Sequence, residues 1–250
     1  MLKLTIICAA FILLAASVPG AAQELLVSAA ASLTNAFKEI GAEFERTQPK
    51  IKVAFNFAAS DVLLKQITEG APVDVFASAD QEAMDKAETV KVIDPATRRN
   101  FAANRLVLAV ARDSSLSLAS LADLKAGAVK RIAISQPSTV PVGRYAKGAL
   151  DDAKLWQPLA GKFIYTQNVR QSLDYVARGE VDAGFVYSTD VAIMGDRVRI
   201  AFEVTTPQPV LYPMAVVRRS KNAKLAQALV DWVNSATGQN ILQKYGFAKP

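Results

Sequence analysis

Short apolar runs alternate with amphipathic segments along most of the chain. The runs are rich in Val, Ile and Phe, and their length and composition predict β-strands. The strand candidates are residues 25–28, 52–57, 73–78, 105–111, 131–135, 163–166, 183–187, 198–202 and 214–218. Helical spacing of apolar residues between these runs predicts helices. The clearest helical face is that of Leu33, Phe37, Ile40 and Phe44. This alternation predicts an α/β fold with mainly parallel strands.

Two stretches interrupt the alternation. Residues 97–104 begin with four polar residues and precede a new strand, and residues 205–209 read Thr-Thr-Pro-Gln-Pro, which disfavours helix and sheet alike. They predict a discontinuous arrangement of two lobes joined by two crossovers. Residues 23–104 plus 207–250 would form lobe 1, and residues 105–206 would form lobe 2.

The first 22 residues have the pattern of a secretory signal peptide. Lys3 is the only charged residue before Glu24, an apolar run spans residues 4–18, and small residues follow at Gly20 and Ala22. The pattern predicts cleavage after Ala22 and export to the periplasm. The run is shorter than the roughly 20 residues of a membrane span. The alternative, an uncleaved anchor, would make the chain a membrane-anchored interaction module.

The composition argues against an enzyme. The chain has no histidine, and its one cysteine, Cys8, lies in the predicted signal. The commonest general base, the commonest metal ligand and thiol chemistry are therefore missing from the mature chain. No dinucleotide-binding, phosphate-loop, nucleophile-elbow or zinc-protease motif is present. We expect no catalysis, no cofactor and no directly coordinated metal. A secreted Ser-dependent hydrolase is the remote alternative.

The charge balance favours small anions as partners over nucleic acid. Lys and Arg number 29 against 23 Asp and Glu, a formal net charge of +6. The basic residues are scattered rather than clustered with aromatic residues, so no nucleic-acid partner is predicted. A mildly positive surface attracts small anions.

Small and hydroxyl-bearing residues recur where a strand candidate gives way to a helix. These junctions are residues 29–32, 58–60, 138–143 and 166–169. Ligands of open α/β sheets bind at the carboxyl ends of strands, and helix N-termini favour anions. The alternative for Ser32 and Ser60 is an N-cap, worth about 1 kcal/mol to a helix. Asn168 is a further N-cap candidate, and Pro141 suits the first turn of a helix.

The residues at these junctions give the chain a family resemblance. It resembles the periplasmic molybdate-binding proteins of bacterial ABC transporters, which are type II periplasmic binding proteins, over essentially its whole mature length. The stretches that carry the resemblance are AAASLTNAF (29–37), FAASDVLLKQI (57–67), GAPVDVFASADQEAMD (70–85), VPVGRYAKGAL (140–150), NVRQSL (168–173), GFVYSTD (184–190), YPMAVV (212–217) and KYGF (244–247).

The resemblance implies a function as well as a fold. It implies a two-lobed monomer with the ligand in the cleft between the lobes. The ligand would be molybdate, and tungstate as well, captured outside the cytoplasm and delivered to an ABC permease in the inner membrane. Molybdenum would be bound only as its oxyanion. Another tetrahedral oxyanion, such as sulfate or thiosulfate, is the alternative ligand.

The resemblance also implies a site made only of neutral hydrogen-bond donors. Ser32 and Ser60 would donate through hydroxyl and backbone N–H, Val142 and Val169 through backbone N–H, and Tyr187 through its phenol. The first two lie in lobe 1 and the other three in lobe 2, so the ligand would bridge the lobes.

Two positions depart from the family pattern. Asp61 follows Ser60 directly, where the family has hydroxyl residues, and a carboxylate facing the cleft would repel an anion. We expect Asp61 to point away from the cleft and to favour the helix N-terminus electrostatically. Val142 stands where a smaller alanine is common, so the pocket could be tighter. Both departures bear on selectivity.

Overall fold

The computed structural model describes residues 23–250, and the predicted signal peptide, residues 1–22, lies outside the described residues. The described chain forms ten strands, nine α-helices and four short 3₁₀ turns. The strands are β1 Gln23–Ala30, β2 Ile51–Ala58, β3 Val75–Ala77, β4 Arg99–Asn104, β5 Leu106–Ala111, β6 Ile132–Ser135, β7 Phe163–Thr166, β8 Ala183–Tyr187, β9 Val198–Glu203 and β10 Val210–Val216. The helices are α1 Thr34–Thr47, α2 Ser60–Thr68, α3 Gln81–Thr89, α4 Pro141–Asp152, α5 Trp156–Leu159, α6 Val169–Ala177, α7 Ser188–Ile193, α8 Ala223–Val233 and α9 Ala236–Lys244. The 3₁₀ turns are Ala31–Leu33, Pro95–Thr97, Leu121–Lys125 and Ala160–Lys162.

The strands form two five-stranded sheets with matching topology. The first has the order β2-β1-β3-β10-β4 and the second β7-β6-β8-β5-β9. The chain leaves the first sheet after β4 and returns to it at β10, so it passes between the sheets twice. The lobe boundaries predicted from the sequence, residues 23–104 plus 207–250 and residues 105–206, follow these passages and stay a proposal.

Each sheet is mainly parallel, as predicted, with one of its five strands running antiparallel to the other four. In the first sheet β1 pairs in parallel with β2 and β3, whereas β10 is antiparallel to β3 and β4. The second sheet repeats this pattern around β6 and β5. The reason lies in the connections. The chain enters β5 and β10 from the other sheet. These strands therefore begin at the edge of their sheet where the neighbouring strands end, and they run in the opposite direction.

The prediction that residues 97–104 form a polar boundary is wrong, because residues 99–104 form the strand β4. Arg99 and Asn100 are exposed, but Phe101 and Ala102 are buried, and the strand pairs with β10. The strand β10 also begins earlier than the predicted residue 214. A register shift between Tyr212 and Pro213 accommodates the proline, which had obscured the strand in the sequence.

The predicted apolar face of α1 packs into the core as expected. Phe37 and Ile40 are buried, and the ring of Phe37 lies 6.2 Å from that of Phe55 on β2 and 5.6 Å from that of Phe101 on β4. The helix thus covers one side of the first sheet and fixes the 3₁₀ turn that precedes it.

A search of residues 23–250 for membrane-spanning helices finds none with the necessary length and apolar character. Within the same residues, no three Cys, Asp or Glu side chains are grouped as a metal site requires.

Candidate anion-binding site

A small cavity lies where strands of both sheets end and helices begin. Its thirteen lining residues carry no charge, and most are small. They are Ala30, Ala31, Ser32, Ala58, Ala59, Ser60, Ala79, Val140, Pro141, Val142, Asn168, Val169 and Tyr187. Because the alanines keep side chains short here, backbones from both sheets approach one small volume.

All five residues predicted for the site line this cavity. They come from five separate junctions of the chain. Ser32 lies in the 3₁₀ turn after β1, Ser60 begins α2, Val142 is the second residue of α4, Val169 begins α6, and Tyr187 ends β8. The structure therefore brings the predicted set together; their contact with a ligand stays a prediction.

Neither serine is the N-cap of its helix, so the capping alternative is wrong for both. Ala59 is the N-cap of α2, and Leu33 is that of α1. The Ser60 Oγ instead accepts a hydrogen bond of 3.1 Å from the backbone N–H of Ala79. The Ser32 Oγ lies 3.1 Å from the Oη of Tyr212. The hydroxyls are thus held by residues distant in the chain.

Three helices direct their N-terminal ends at the cavity. The first four N–H groups of a helix have no acceptor within it, and the helix dipole makes this end partly positive. Ser60, Val142 and Val169 occupy such positions in α2, α4 and α6. The backbone at these three positions therefore presents donors suited to an anion.

The residues that begin α4 and cap α6 are those predicted from the sequence. Pro141 is the first residue of α4, and Asn168 is the N-cap of α6, where its side chain accepts from Gln171 N–H at 3.1 Å. The start of α4 is also fixed by Gly143. A Cβ added at this glycine would lie 2.0 Å from the carbonyl oxygen of Ser135, the last residue of β6.

The hydroxyl of Tyr187 is the clearest unused donor in the cavity. The residue is 1% exposed, and its Oη has no hydrogen-bond partner among the described residues. Burial raises the pKa of this phenol well above its usual value, and the nearby Tyr212 adds to the effect. Tyr187 therefore keeps its proton and can donate it to a ligand.

Asp61 does not line the cavity, as expected, because its carboxylate is held elsewhere. Its Oδ2 lies 2.6 Å from Arg144 Nη2, and its Oδ1 lies 2.9 Å from Lys86 Nζ. Arg144 also contacts Asp80, with 2.7 Å between Nε and Oδ2. Burial raises the pKa of Asp80, although Arg144 acts against this. Arg144 thus links α4, beside the second sheet, to two carboxylates beside the first.

A second buried acid lies beneath Tyr187. Asp190 accepts from the Tyr187 backbone N–H at 3.1 Å, and its Oδ1 lies 2.9 Å from Arg170 Nε, close enough for an ion pair but not aligned as a hydrogen bond. Arg170 also donates to Asn35 Oδ1 at 3.0 Å and to the Ser32 carbonyl at 3.2 Å. Burial raises the pKa of Asp190 from 3.8 to about 6, although Arg170 opposes the rise.

The raised pKa of Asp190 predicts a pH dependence of stability. Between about pH 4 and 6 the unfolded chain has lost this proton while the folded chain retains it, so raising the pH favours unfolding. The contribution amounts to about 3 kcal/mol. Between pH 4 and pH 7, the free energy of unfolding of wild type should therefore fall by about that amount relative to that of Asp190→Asn. Urea unfolding measures this difference. Asp113→Asn, at an exposed position, controls for the loss of a carboxyl group. If the free energy of unfolding changed with pH equally in wild type and Asp190→Asn, the prediction would be contradicted.

Two residues near the cavity were missed as functional candidates. Tyr212 lies within a stretch that carries the family resemblance, but only the fold shows its hydroxyl beside Ser32. Asn104 ends β4, and its Nδ2 lies 3.2 Å from Tyr212 Oη. No local pattern identifies either residue, because Ser32 and Tyr212 are 180 positions apart.

Comparison with known proteins gives consistent matches over nearly the whole described chain. A family model for bacterial extracellular solute-binding proteins matches residues 25–248. The molybdate-binding protein ModA of Escherichia coli (strain K12) is 38% identical over an alignment of 234 residues, covering 90% of this chain and 88% of that protein.

Two solved structures share the fold at low sequence identity. The periplasmic molybdate-binding protein of Azotobacter vinelandii superposes with a TM-score of 0.79 at 21% identity, covering 90% of this chain and 99% of that one. The sulfate-binding protein SubI of Mycobacterium tuberculosis H37Rv gives 0.78 at 15% identity, covering 91% and 87%. The predicted α/β class and type II periplasmic binding protein fold are therefore confirmed.

Proposed function

The chain belongs to the family of bacterial extracellular solute-binding proteins, and we propose that it captures molybdate in the cavity between its two sheets for delivery to an ABC permease. The observation that carries the proposal is the buried Tyr187 hydroxyl, which has no hydrogen-bond partner within residues 23–250 and lies beside three helix N-termini. Such a set of donors needs an acceptor-rich anion. The molybdate-binding relative of E. coli, at 38% identity, supports this choice.

The chemistry of the lining favours an anion without protons. Molybdate is fully deprotonated near neutral pH, so each of its oxygens accepts hydrogen bonds, and charge-assisted bonds of this kind are stronger than neutral ones. Phosphate keeps a proton in this range and benefits from an acceptor such as a carboxylate. The described lining residues include no carboxylate, which disfavours phosphate.

Sulfate is the second candidate, because it also only accepts hydrogen bonds and the fold is shared with a sulfate-binding protein. Sulfate and molybdate have the same charge and shape, so the size of the cavity must discriminate between them. Tungstate is nearly the size of molybdate, and we expect the site to bind both.

The proposal includes export, a monomeric state and no catalysis. We propose that residues 1–22 are removed and that the mature protein acts in the periplasm. N-terminal sequencing of the exported protein should find Gln23 first, and retention of the apolar run would contradict cleavage.

Calorimetric titration tests the ligand directly. We expect molybdate and tungstate to bind tightly, and sulfate and phosphate much more weakly. Tighter binding of sulfate or phosphate than of molybdate would overturn the assignment. Hydrolysis of ester or peptide substrates, abolished by a single Ser substitution, would favour the hydrolase alternative.

The variant Tyr187→Phe separates a ligand contact from a structural role. Its hydroxyl has no partner among the described residues, so its loss should leave the free energy of unfolding of the free protein unchanged or slightly higher. Molybdate affinity should fall by about 2 kcal/mol, or roughly thirtyfold, because a hydrogen bond to a charged group is lost. Calorimetry and urea unfolding measure both quantities. Unchanged affinity would remove Tyr187 from the site.

A further inference from the structure

The side chain of Asn104 has one defined orientation. Its Oδ1 accepts from the Arg105 backbone N–H at 2.9 Å and from Ser188 Oγ at 3.0 Å. Since a backbone N–H can only donate, the atom facing it is the amide oxygen. The Nδ2 group therefore faces Thr189 Oγ1 at 2.9 Å and Tyr212 Oη at 3.2 Å and donates to both.

This orientation determines to which neighbour Tyr212 donates its proton. The side chain is fully buried, and burial raises the pKa of its phenol well above the usual value, so it keeps its proton. Its described neighbours are Asn104 Nδ2, from which it accepts, and Ser32 Oγ at 3.1 Å. If Ser32 donated to Tyr212, the Tyr212 proton would have no acceptor among these neighbours, which is unfavourable in a buried site. Tyr212 therefore donates to Ser32.

We propose that Tyr212 and Asn104 are positioning residues that make Ser32 a donor toward the ligand. With one lone pair of Ser32 Oγ occupied by the Tyr212 proton, the hydroxyl keeps its own proton free to donate into the cavity. Ser60 is set in the same way by a backbone donor, the N–H of Ala79, at 3.1 Å. This role rests on the proposed function, since it specifies how the site recognises an oxyanion.

Fixed protons give the site a preference against protonated anions. A phosphate that retains a proton needs an acceptor, and a serine hydroxyl can provide one if it is free to rotate. The hydrogen bond from Tyr212 excludes the rotamer in which the Ser32 proton points at Tyr212 and both lone pairs face the cavity. The preference for molybdate over phosphate should therefore depend on the Tyr212 hydroxyl, although it contacts neither anion.

A double-mutant cycle between Tyr212→Phe and Ser32→Ala tests the proposal. Molybdate affinity is measured by calorimetry and phosphate affinity by competition, with thermal melting as the check of folding. We expect Tyr212→Phe to lower molybdate affinity about tenfold, to lower phosphate affinity less, and to have no further effect once Ser32 is alanine. An equal loss for both anions, or an equal loss in both backgrounds, would mean that Tyr212 acts through packing alone and would overturn the proposal.

Asn104→Asp provides a second test with almost unchanged shape. A carboxylate at this position accepts from Tyr212, so the Tyr212 oxygen would accept from Ser32 and the Ser32 lone pairs would face the cavity. The added negative charge should weaken the binding of both anions, and the ratio of molybdate to phosphate affinity should also fall. An unchanged ratio would contradict the proposal. A wild-type chain that binds no molybdate would overturn the proposed function itself. Binding by wild type with no effect of Tyr212→Phe would overturn only this role.

Discussion

Replacing Arg144 with methionine is expected to lower the free energy of unfolding by about 3–5 kcal/mol. The guanidinium contacts Asp61 at 2.6 Å and Asp80 at 2.7 Å, and the Asp80 side chain is only 5% exposed. Methionine retains the length of the side chain but leaves both carboxylates without this partner. Buried charges left without their partner account for the size of the loss. Urea unfolding at pH 7 measures it.

Arg46→Met is the matched control. Arg46 pairs with Glu43 one turn away on α1, but its side chain is 73% exposed, so its loss should cost at most about 0.5 kcal/mol. The double variant Arg144→Met with Asp80→Asn should recover part of the loss, because one buried charge is removed. Equal losses for Arg144→Met and Arg46→Met would show that the buried link contributes no more than a surface pair.

Replacing Gly143 with alanine is expected to cost about 3 kcal/mol of stability and to reduce molybdate affinity about tenfold or more. The new Cβ would lie 2.0 Å from the Ser135 carbonyl oxygen and 2.7 Å from its carbon. Both are backbone atoms of β6, which is held in its sheet, so α4 must shift instead. The shift would move the Val142 N–H, the donor proposed for the ligand, away from its position.

Gly127→Ala serves as the control for this substitution. A Cβ there meets no heavy atom of residues 23–250 within 4 Å, so its effect on stability should be within about 0.5 kcal/mol. Binding is measured by calorimetry under conditions where the variant is folded. Wild-type affinity in folded Gly143→Ala would mean that the start of α4 does not hold the ligand.

The sequence predicted those features that depend on neighbouring residues. Pro141 begins α4 and Asn168 caps α6 because both effects are local to a helix end. The strand β4 was missed because its polar first residues hide a short buried segment at Phe101 and Ala102. Its pairing partner, β10, lies more than a hundred residues later and is itself obscured by Pro213.

The candidate site shows the same limit. The positions of Ser32 and Ser60 at strand ends could be predicted, but not their partners. Each hydroxyl is held by a group from another part of the chain, Tyr212 for Ser32 and the Ala79 backbone for Ser60. The local pattern therefore offered N-caps as an alternative for residues whose hydrogen bonds are tertiary.

The place of β10 between β3 and β4 has a consequence for the order in which the protein can fold. Synthesis delivers all strands of the second sheet by residue 203, whereas the first sheet, begun at residue 23, lacks its inner strand until residue 216. Until then β4 has no neighbour to pair with in its sheet. The sheet that starts first is thus completed last, and a nascent chain that has not reached residue 210 exposes the edges of both β3 and β4.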